Sequence, residues 1–236
     1  IAEELAAEML TDCPVQMLLP DGSILMQIAD SRRPFGWPPL NFFYQPYLET
    51  RLAEALGRYP NVRVMRGRET TRFEQDRDGV IIHYVASSTT PVNATVRARY
   101  FVGCDGGRSA VRTQLGVKMA GKSFPNPWLV VDIREKERDS ALHHLPYFSF
   151  VCDPRCPTVS CVQPDGHHRF EFMLMPGQTR EYMEDPATVR SHLAKYVDVD
   201  RFEILRSLVY TFNALIAERW RDGRVFLAGD AAHMTP

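Results

Sequence analysis

Two stretches of this chain combine the residue types from which a site for phosphate or sugar-alcohol oxygens can be built. The first is Tyr100-Phe101-Val102-Gly103-Cys104-Asp105-Gly106-Gly107-Arg108-Ser109-Ala110-Val111-Arg112, an apolar strand that breaks into glycines and restarts as a helix. Glycine lets a ligand approach the backbone, and a helix start presents unpaired N–H groups to an oxyanion. The second is Gly223-Arg224-Val225-Phe226-Leu227-Ala228-Gly229-Asp230-Ala231-Ala232-His233-Met234-Thr235-Pro236. Here a buried strand ends at Gly229 and Asp230, so the Asp230 carboxylate emerges at the strand's C-terminal edge, where open α/β sheets bind ligands. It can accept hydrogen bonds from hydroxyls, and Ala231 and Ala232 leave room for a flat ligand. Each stretch alone has a plain alternative: Asp-Gly-Gly is an ordinary turn, and Asp230 reads equally as an N-cap followed by small packing residues.

Other reactive residues carry less. The five cysteines (Cys13, Cys104, Cys152, Cys156 and Cys161) are odd in number and form no C-x-x-C pair, which fits reduced thiols. The spacing of the last three matches no usual zinc or iron–sulfur set, so no metal is assigned. His143-His144 and His167-His168 are adjacent pairs whose side chains diverge on a helix or a strand.

The elements that must position these stretches follow from periodicity. Residues 1 to 10 read as a helix end, and 14 to 19 with 24 to 28 as a β-hairpin turning at Asp21-Gly22. After an aromatic, Pro-rich loop (Arg33 to Phe43), Leu48, Leu52 and Leu56 share one face of a helix from Gln45 to Leu56, with Gly57 as its C-cap. A short strand at 62–65 precedes an antiparallel meander of 70–74, 80–85 and 92–102, with a turn at Asp78-Gly79. Beyond a helix at 111–115 come strands at 128–133, 147–152 and 169–175, helices at 179–183 and 186–196, and strands at 202–210 and 224–228. In the 169–175 strand Phe170, Phe172 and Leu174 share one face, as the wall of a cavity or any half-buried sheet would.

Composition bounds the rest. The 236 residues, 44% hydrophobic and 24% charged, suffice for one or two globular domains. A formal charge of -1 gives no electrostatic reason for a nucleic-acid or anionic-membrane partner, and small neutral or anionic molecules remain open. No apolar run reaches the roughly 20 residues that span a bilayer, and Ile1 opens a helical pattern rather than a leader, so a cytoplasmic location is expected. An oligomer is compatible with all of this.

Together, and in this order, the two stretches resemble the "DG" and "GD" motifs of the class A flavoprotein aromatic hydroxylases, FAD-dependent monooxygenases. The likeness extends through Phe35-Gly36-Trp37-Pro38, Asn41 to Pro46, Pro60-Asn61-Val62-Arg63, Gly121-Lys122, Arg169 to Gly177 and Val209-Tyr210-Thr211, text most like the hydroxyphenylpropionate hydroxylases. The resemblance implies that Asp230, with Gly229 and Ala231, binds the ribitol of FAD. It implies that Asp105, with Gly106, Arg108, Ser109 and Arg112, supports the flavin site and NAD(P)H use, and that Gln45 contacts the ribityl–phosphate region. His233 and Pro236 fall where the family's chain passes the isoalloxazine ring; for His233 a catalytic base stands beside a positioning or packing role. Phe43, Phe170 and Phe172 are substrate candidates by aromatic character alone, with plain core as the other reading.

The implied fold is α/β and p-hydroxybenzoate-hydroxylase-like. A truncated FAD/NAD(P)-binding layer is expected at 40–115 and 212–236, and an antiparallel-sheet substrate domain at 14–30 and 116–211. The implied reaction hydroxylates a phenolic ring, such as a small 3-(3-hydroxyphenyl)propionate-like aromatic, ortho to its hydroxyl with NAD(P)H and O2. An epoxidase, halogenase or dehydrogenase of the same superfamily, or a non-catalytic aromatic-binding domain, would carry the same motifs. No G-x-G-x-x-G occurs in the chain, and the second motif stops at Pro236. The expectation is therefore a fragment lacking the adenosine half of the site and the C-terminal part, inactive alone and with weak or no FAD binding.

Overall fold

The computed structural model describes residues 1–30, 32–86, 92–137 and 142–235. The chain begins with helix α1 (Ala2–Ala7), strands β1 (Leu10–Thr11), β2 (Val15–Leu18), β3 (Ile24–Ile28) and β4 (Asn41–Phe42), and helix α2 (Gln45–Leu56). Strands β5 (Arg68–Gln75), β6 (Val80–Ala86), β7 (Val92–Ala98) and β8 (Phe101–Gly103) lead into helix α3 (Ala110–Gln114). Then come β9 (Met119–Ser123), β10 (Trp128–Glu135), β11 (Phe148–Val151), β12 (Thr158–Val162) and β13 (His167–Met173), followed by helices α4 (Arg180–Glu184) and α5 (Pro186–Leu193). Strands β14 (Phe202–Tyr210), β15 (Asn213–Ala217), β16 (Arg221–Asp222), β17 (Val225–Leu227) and β18 (His233–Met234) complete it.

These elements form two compact units, Ile1–Val62 with Asn126–Thr211, and Arg63–Pro125 with Phe212–Pro236. Residues 40–62, expected with the flavin layer, therefore pack in the first unit. There Arg51 of α2 pairs with Glu8 at 2.6 Å, and Tyr44 stacks on His167 with ring centroids 3.9 Å apart. Residues 116–125, expected with the substrate domain, belong to the second, because β9 hydrogen-bonds along β15 from Met119 to Ser123.

The first unit is built on a seven-stranded sheet in the order β14-β10-β13-β12-β11-β2-β3. The early hairpin joins it, β2 running parallel to β11. One face, carrying Leu129, Val131, Ile133, Phe170 and Phe172, buries against Met183 of α4 and Val189 and Leu193 of α5. Each such aliphatic or aromatic side chain contributes about 1.5–3 kcal/mol when removed from water. The alternation seen in the sequence is thus a sheet with one face covered by helices. In α2 the Leu52 and Leu56 side chains expected to anchor the helix are exposed, and Ala55 is its buried residue.

The second unit contains the three-stranded meander β5-β6-β7 and two further three-stranded sheets, β18-β15-β9 and β16-β17-β8. Its core joins Phe73, Val80 and Ile82 of the meander to Val111 of α3 and Val225, Leu227, Ala231 and Ala232 near the C-terminal motif. Two expectations fail here. Residues 62–65 form no strand; Val62, Val64 and Met65 are exposed and pair with no strand among the described residues. The run 92–102 is two strands, because β8 leaves the meander to pair with β17. The short β9, β12 and β15 lacked a sequence signal.

Candidate functional site

The site in the second unit starts from one pairing. Strand β8 runs parallel to β17, with Phe101 opposite Val225, Val102 opposite Phe226 and Gly103 opposite Leu227. One further bond, from the Ala228 amide to the Gly103 carbonyl at 3.0 Å, continues the ladder past the strand ends. Parallel pairing makes both strands end at the same edge, so Asp105 and Asp230 emerge from neighbouring C-terminal ends although far apart in sequence.

Beyond β8 the chain turns at Gly106, whose φ of 79° lies in the region where a side chain is strained. Asp105 then reaches forward: Ser109 Oγ donates to its Oδ1, and the Val111 amide donates to its Oδ2 at 3.0 Å. Ser109, fully buried, accepts in turn from the Arg112 amide at 2.9 Å as the N-cap of α3. Burial alone would raise the Asp105 carboxyl, but the Ser109 hydroxyl and the Val111 and Ala110 amides outweigh it and hold the group below its ordinary value. The free helix N–H groups expected here for an oxyanion are therefore already engaged by Asp105 and Ser109. A five-residue helix has little stability of its own, and these caps supply it.

Arg112 joins the two motifs. Its Nη2 donates to the Gly107 carbonyl at 2.7 Å and its Nη1 to the Ala231 carbonyl at 3.0 Å. Gly107 lies so close to Met234 that an added Cβ would stand 2.8 Å from the Met234 Sδ. Met234 is thus a packing residue of the site that the sequence reading did not single out, and no local pattern marks it.

Asp230 differs from Asp105. It lies in a 3-10 turn, Gly229–Ala231, in which Gly229 has φ 57°, and like Asp105 it is exposed. Among the described residues its carboxylate has no hydrogen-bond or ion-pair partner, and it does not cap the turn. Ala231 and Ala232 are fully buried, so their small side chains serve the core, and the outward face of the turn consists of backbone and the Asp230 carboxylate. Arg108 is exposed. His233, also exposed, stacks on Trp220 with centroids 5.5 Å apart and rings within 3° of parallel. Pro236 lies outside the described residues.

The remaining candidates belong to the first unit. Gln45 opens α2 and donates from Nε2 to Glu49 Oε1 at 2.7 Å. Phe170 and Phe172 are completely buried, stacked 6.0 Å apart within the core beneath α4 and α5. Their aromatic character is taken up by packing, the plain-core one of the two readings given from the sequence. Phe43 is 39% exposed, whereas its neighbour Phe42 turns inward onto Phe148, 5.5 Å between centroids. On the opposite face of the seven-stranded sheet, Asp132 holds Arg169 (2.7 Å) and Arg206 (3.1 Å), with Glu171 alongside. Burial pushes the Glu171 carboxyl up, against the pull of Arg169.

The chain belongs to the FAD binding domain family, whose profile matches residues 10–236. Among curated proteins it is 41% identical over 223 residues to the 3-(3-hydroxy-phenyl)propionate/3-hydroxycinnamic acid hydroxylase of Escherichia coli O139:H28, covering 94% of this chain and 39% of the relative. The Shigella sonnei protein of the same name is 40% identical over the same lengths. The chain thus spans about two fifths of the length of these relatives. Among solved structures, the p-nitrophenol 4-monooxygenase of Pseudomonas putida DLL-E4 superposes with a TM-score of 0.85 at 20% identity, over 99% of this chain and 59% of that one. Aklavinone-11 hydroxylase, solved with FAD and aklavinone, gives 0.82 at 25% identity, over 100% and 47%. These likenesses bear out the p-hydroxybenzoate-hydroxylase-like fold expectation. Among the described residues no helix is long and apolar enough to cross a membrane.

Proposed function

We propose that this chain is part of an FAD-dependent monooxygenase that hydroxylates a phenolic ring ortho to its hydroxyl, on a 3-(3-hydroxyphenyl)propionate-like substrate, with NAD(P)H and O2. The observation that carries the reading is the β8–β17 pair, which brings the two motif ends to one edge with Arg112 bonded to both. The 41% identity to hydroxylases of that name supports the substrate class.

The residues present fit FAD. Asp230, exposed and without a partner among the described residues, would accept hydrogen bonds from ribityl hydroxyls, and the backbone at Gly229 and Ala231 would lie against the cofactor. Asp105, Ser109 and Arg112 act by shaping: their side chains are committed to the turn and to α3, so they hold the edge on which the cofactor rests. Gly106 permits that turn, and Arg108 offers an exposed cation to an anionic group. When bound and reduced, FAD supplies the electrons for O2 chemistry and oxygen transfer. The chain's own part is to bind, orient and keep water from the reacting atoms. His233, held flat against Trp220, is read as a positioning group. With Phe170 and Phe172 in the core, substrate contact falls to the opposite sheet face, where Val130, Asp132, Arg169 and Glu171 lie, and to Phe43.

The test is NADH consumption by the full reading frame with FAD, with and without 3-(3-hydroxyphenyl)propionate, with the product weighed. Stimulated consumption and a gain of one oxygen are expected. No stimulation across a panel of phenols overturns the reading in favour of an epoxidase, a halogenase, a dehydrogenase or a non-catalytic binding domain.

A further inference from the structure

Cys156 lies in the turn between β11 and β12, its amide donating to the Asp153 carbonyl at 3.1 Å. Its Sγ stands 3.9 Å from Nδ1 of His192 on α5. His192 is only 8% exposed and its ring packs on Phe172, 4.9 Å between centroids, which fixes the imidazole in front of the thiol. Thr158 Oγ1 approaches the same sulfur at 4.0 Å while donating to the Cys156 carbonyl. A cavity of about 470 Å³ reaches Cys156 and His192, and the charged residues lining it are Arg155 and Lys195. A second, of about 680 Å³, also reaches Cys156 and shares Arg155 and Lys195 with the first, adding Asp21, Asp153 and His144. Asp153 pairs with Arg155 at 3.0 Å and also feels the Lys195 charge, while Lys195 itself makes no ion pair within 4 Å among the described residues.

We propose that Cys156 and His192 form a thiol–imidazole pair that takes up small anionic disulfides as a mixed disulfide. The Cys156 sulfur attacks one sulfur of the disulfide, and His192 Nδ1 receives the thiol proton. The disulfide's S–S bond breaks as the new bond to Sγ forms. The departing thiolate leaves with the electron pair and takes a proton from the imidazole or from water. Thiolates, rather than thiols, perform this exchange, so a base in contact and nearby cations raise its rate. Burial, with Lys195 beside it, holds the His192 imidazole below its usual range and favours the neutral ring, so its part is to accept a hydrogen bond from the thiol and take the proton only as the new S–S bond forms. The other cysteines serve as internal standards. Cys104 and Cys152 are exposed without such a partner among the described residues, and burial pushes the Cys161 thiol up to about 12.

The experiment uses 5,5′-dithiobis(2-nitrobenzoate), a dianionic disulfide, following the released aryl thiolate and locating the adduct by peptide mass. Cys156 is expected to react roughly fivefold faster than Cys152, with Cys161 slowest. A neutral dipyridyl disulfide should show a smaller preference for Cys156. His192→Gln should slow Cys156 several-fold and leave Cys104 and Cys152 unchanged. Because His192 packs against the core, the surface variant Lys195→Gln gives a second arm: it should slow only the anionic reagent. Cys156 reacting no faster than Cys152 in the unaltered chain, or indifference of its rate to Lys195→Gln, overturns the proposal.

Discussion

The Arg112 guanidinium donates to the Ala231 carbonyl, 3.0 Å away and 119 residues along the chain, and through its other nitrogen to the Gly107 carbonyl. One side chain thus fastens the second motif to the turn of the first. Arg112→Ala should cost about 1–3 kcal/mol of stability by leaving part-buried carbonyls unpaired. Urea denaturation measures this, and an unchanged midpoint would show the bridge to be incidental.

Asp105 and Asp230 should separate cleanly. Asp105 bonds Ser109 and the Val111 amide, so Asp105→Ala should lower stability by about 1–3 kcal/mol. Asp230 has no partner among the described residues, so Asp230→Ala should change stability by less than about 0.5 kcal/mol. Flavin affinity of the full reading frame, read by fluorescence quenching, should nonetheless fall roughly tenfold or more with Asp230→Ala, the worth of one or two hydrogen bonds to a charged group. Equal affinity would remove Asp230 from the cofactor site.

Phe172 is wholly buried and Phe43 is 39% exposed. Phe172→Ala should cost about 3–5 kcal/mol and Phe43→Ala less than about 0.5 kcal/mol. If instead Phe172→Ala folds normally and alters only substrate affinity, its assignment to the core is wrong.

His168 is fully buried, its Nε2 2.8 Å from Ser160 Oγ, and burial lowers its imidazole from 6.5 to about 3. The unfolded chain therefore binds a proton that the folded chain refuses, and the stability is full above pH 6.5 and is lost as pH falls toward 3. The slope from this group approaches about 1.4 kcal/mol per pH unit within that window. His168→Gln keeps a partner for Ser160 but does not titrate, so denaturation midpoints measured from pH 7 to 4 should fall less steeply. Parallel slopes would show that other groups drive acid unfolding.

Much of this was legible in the residues. The hairpin at Asp21-Gly22, the helix from Gln45 to Leu56 and the strands around Trp128, Phe170 and Phe202 follow local rules: turn residues, apolar period and caps. Asp230 at a strand end was legible too, since the four apolar or small residues Val225 to Ala228 before a Gly-Asp pair mark a buried strand that stops there. The short strands β9, β12 and β15 were not, because segments such as Met-Ala-Gly-Lys-Ser acquire extended structure only from the strand beside them.

By itself, then, the sequence determined which chemical groups stand at each strand end, their order along the chain, and the alternation that puts Phe170 and Phe172 on one face. Only the tertiary structure decided that face's use. Helices α4 and α5 cover it and make core of what could have lined a cavity. Likewise only the pairing of β8 with β17 brought the two motifs together, and only the folded turn showed the Asp105 carboxylate committed to Ser109 and Val111 while the Asp230 carboxylate stays free of such partners among the described residues. The reason is physical: backbone propensity and side-chain period act over a few residues, whereas strand partners, hydrogen-bond satisfaction and burial depend on what arrives from elsewhere in the chain.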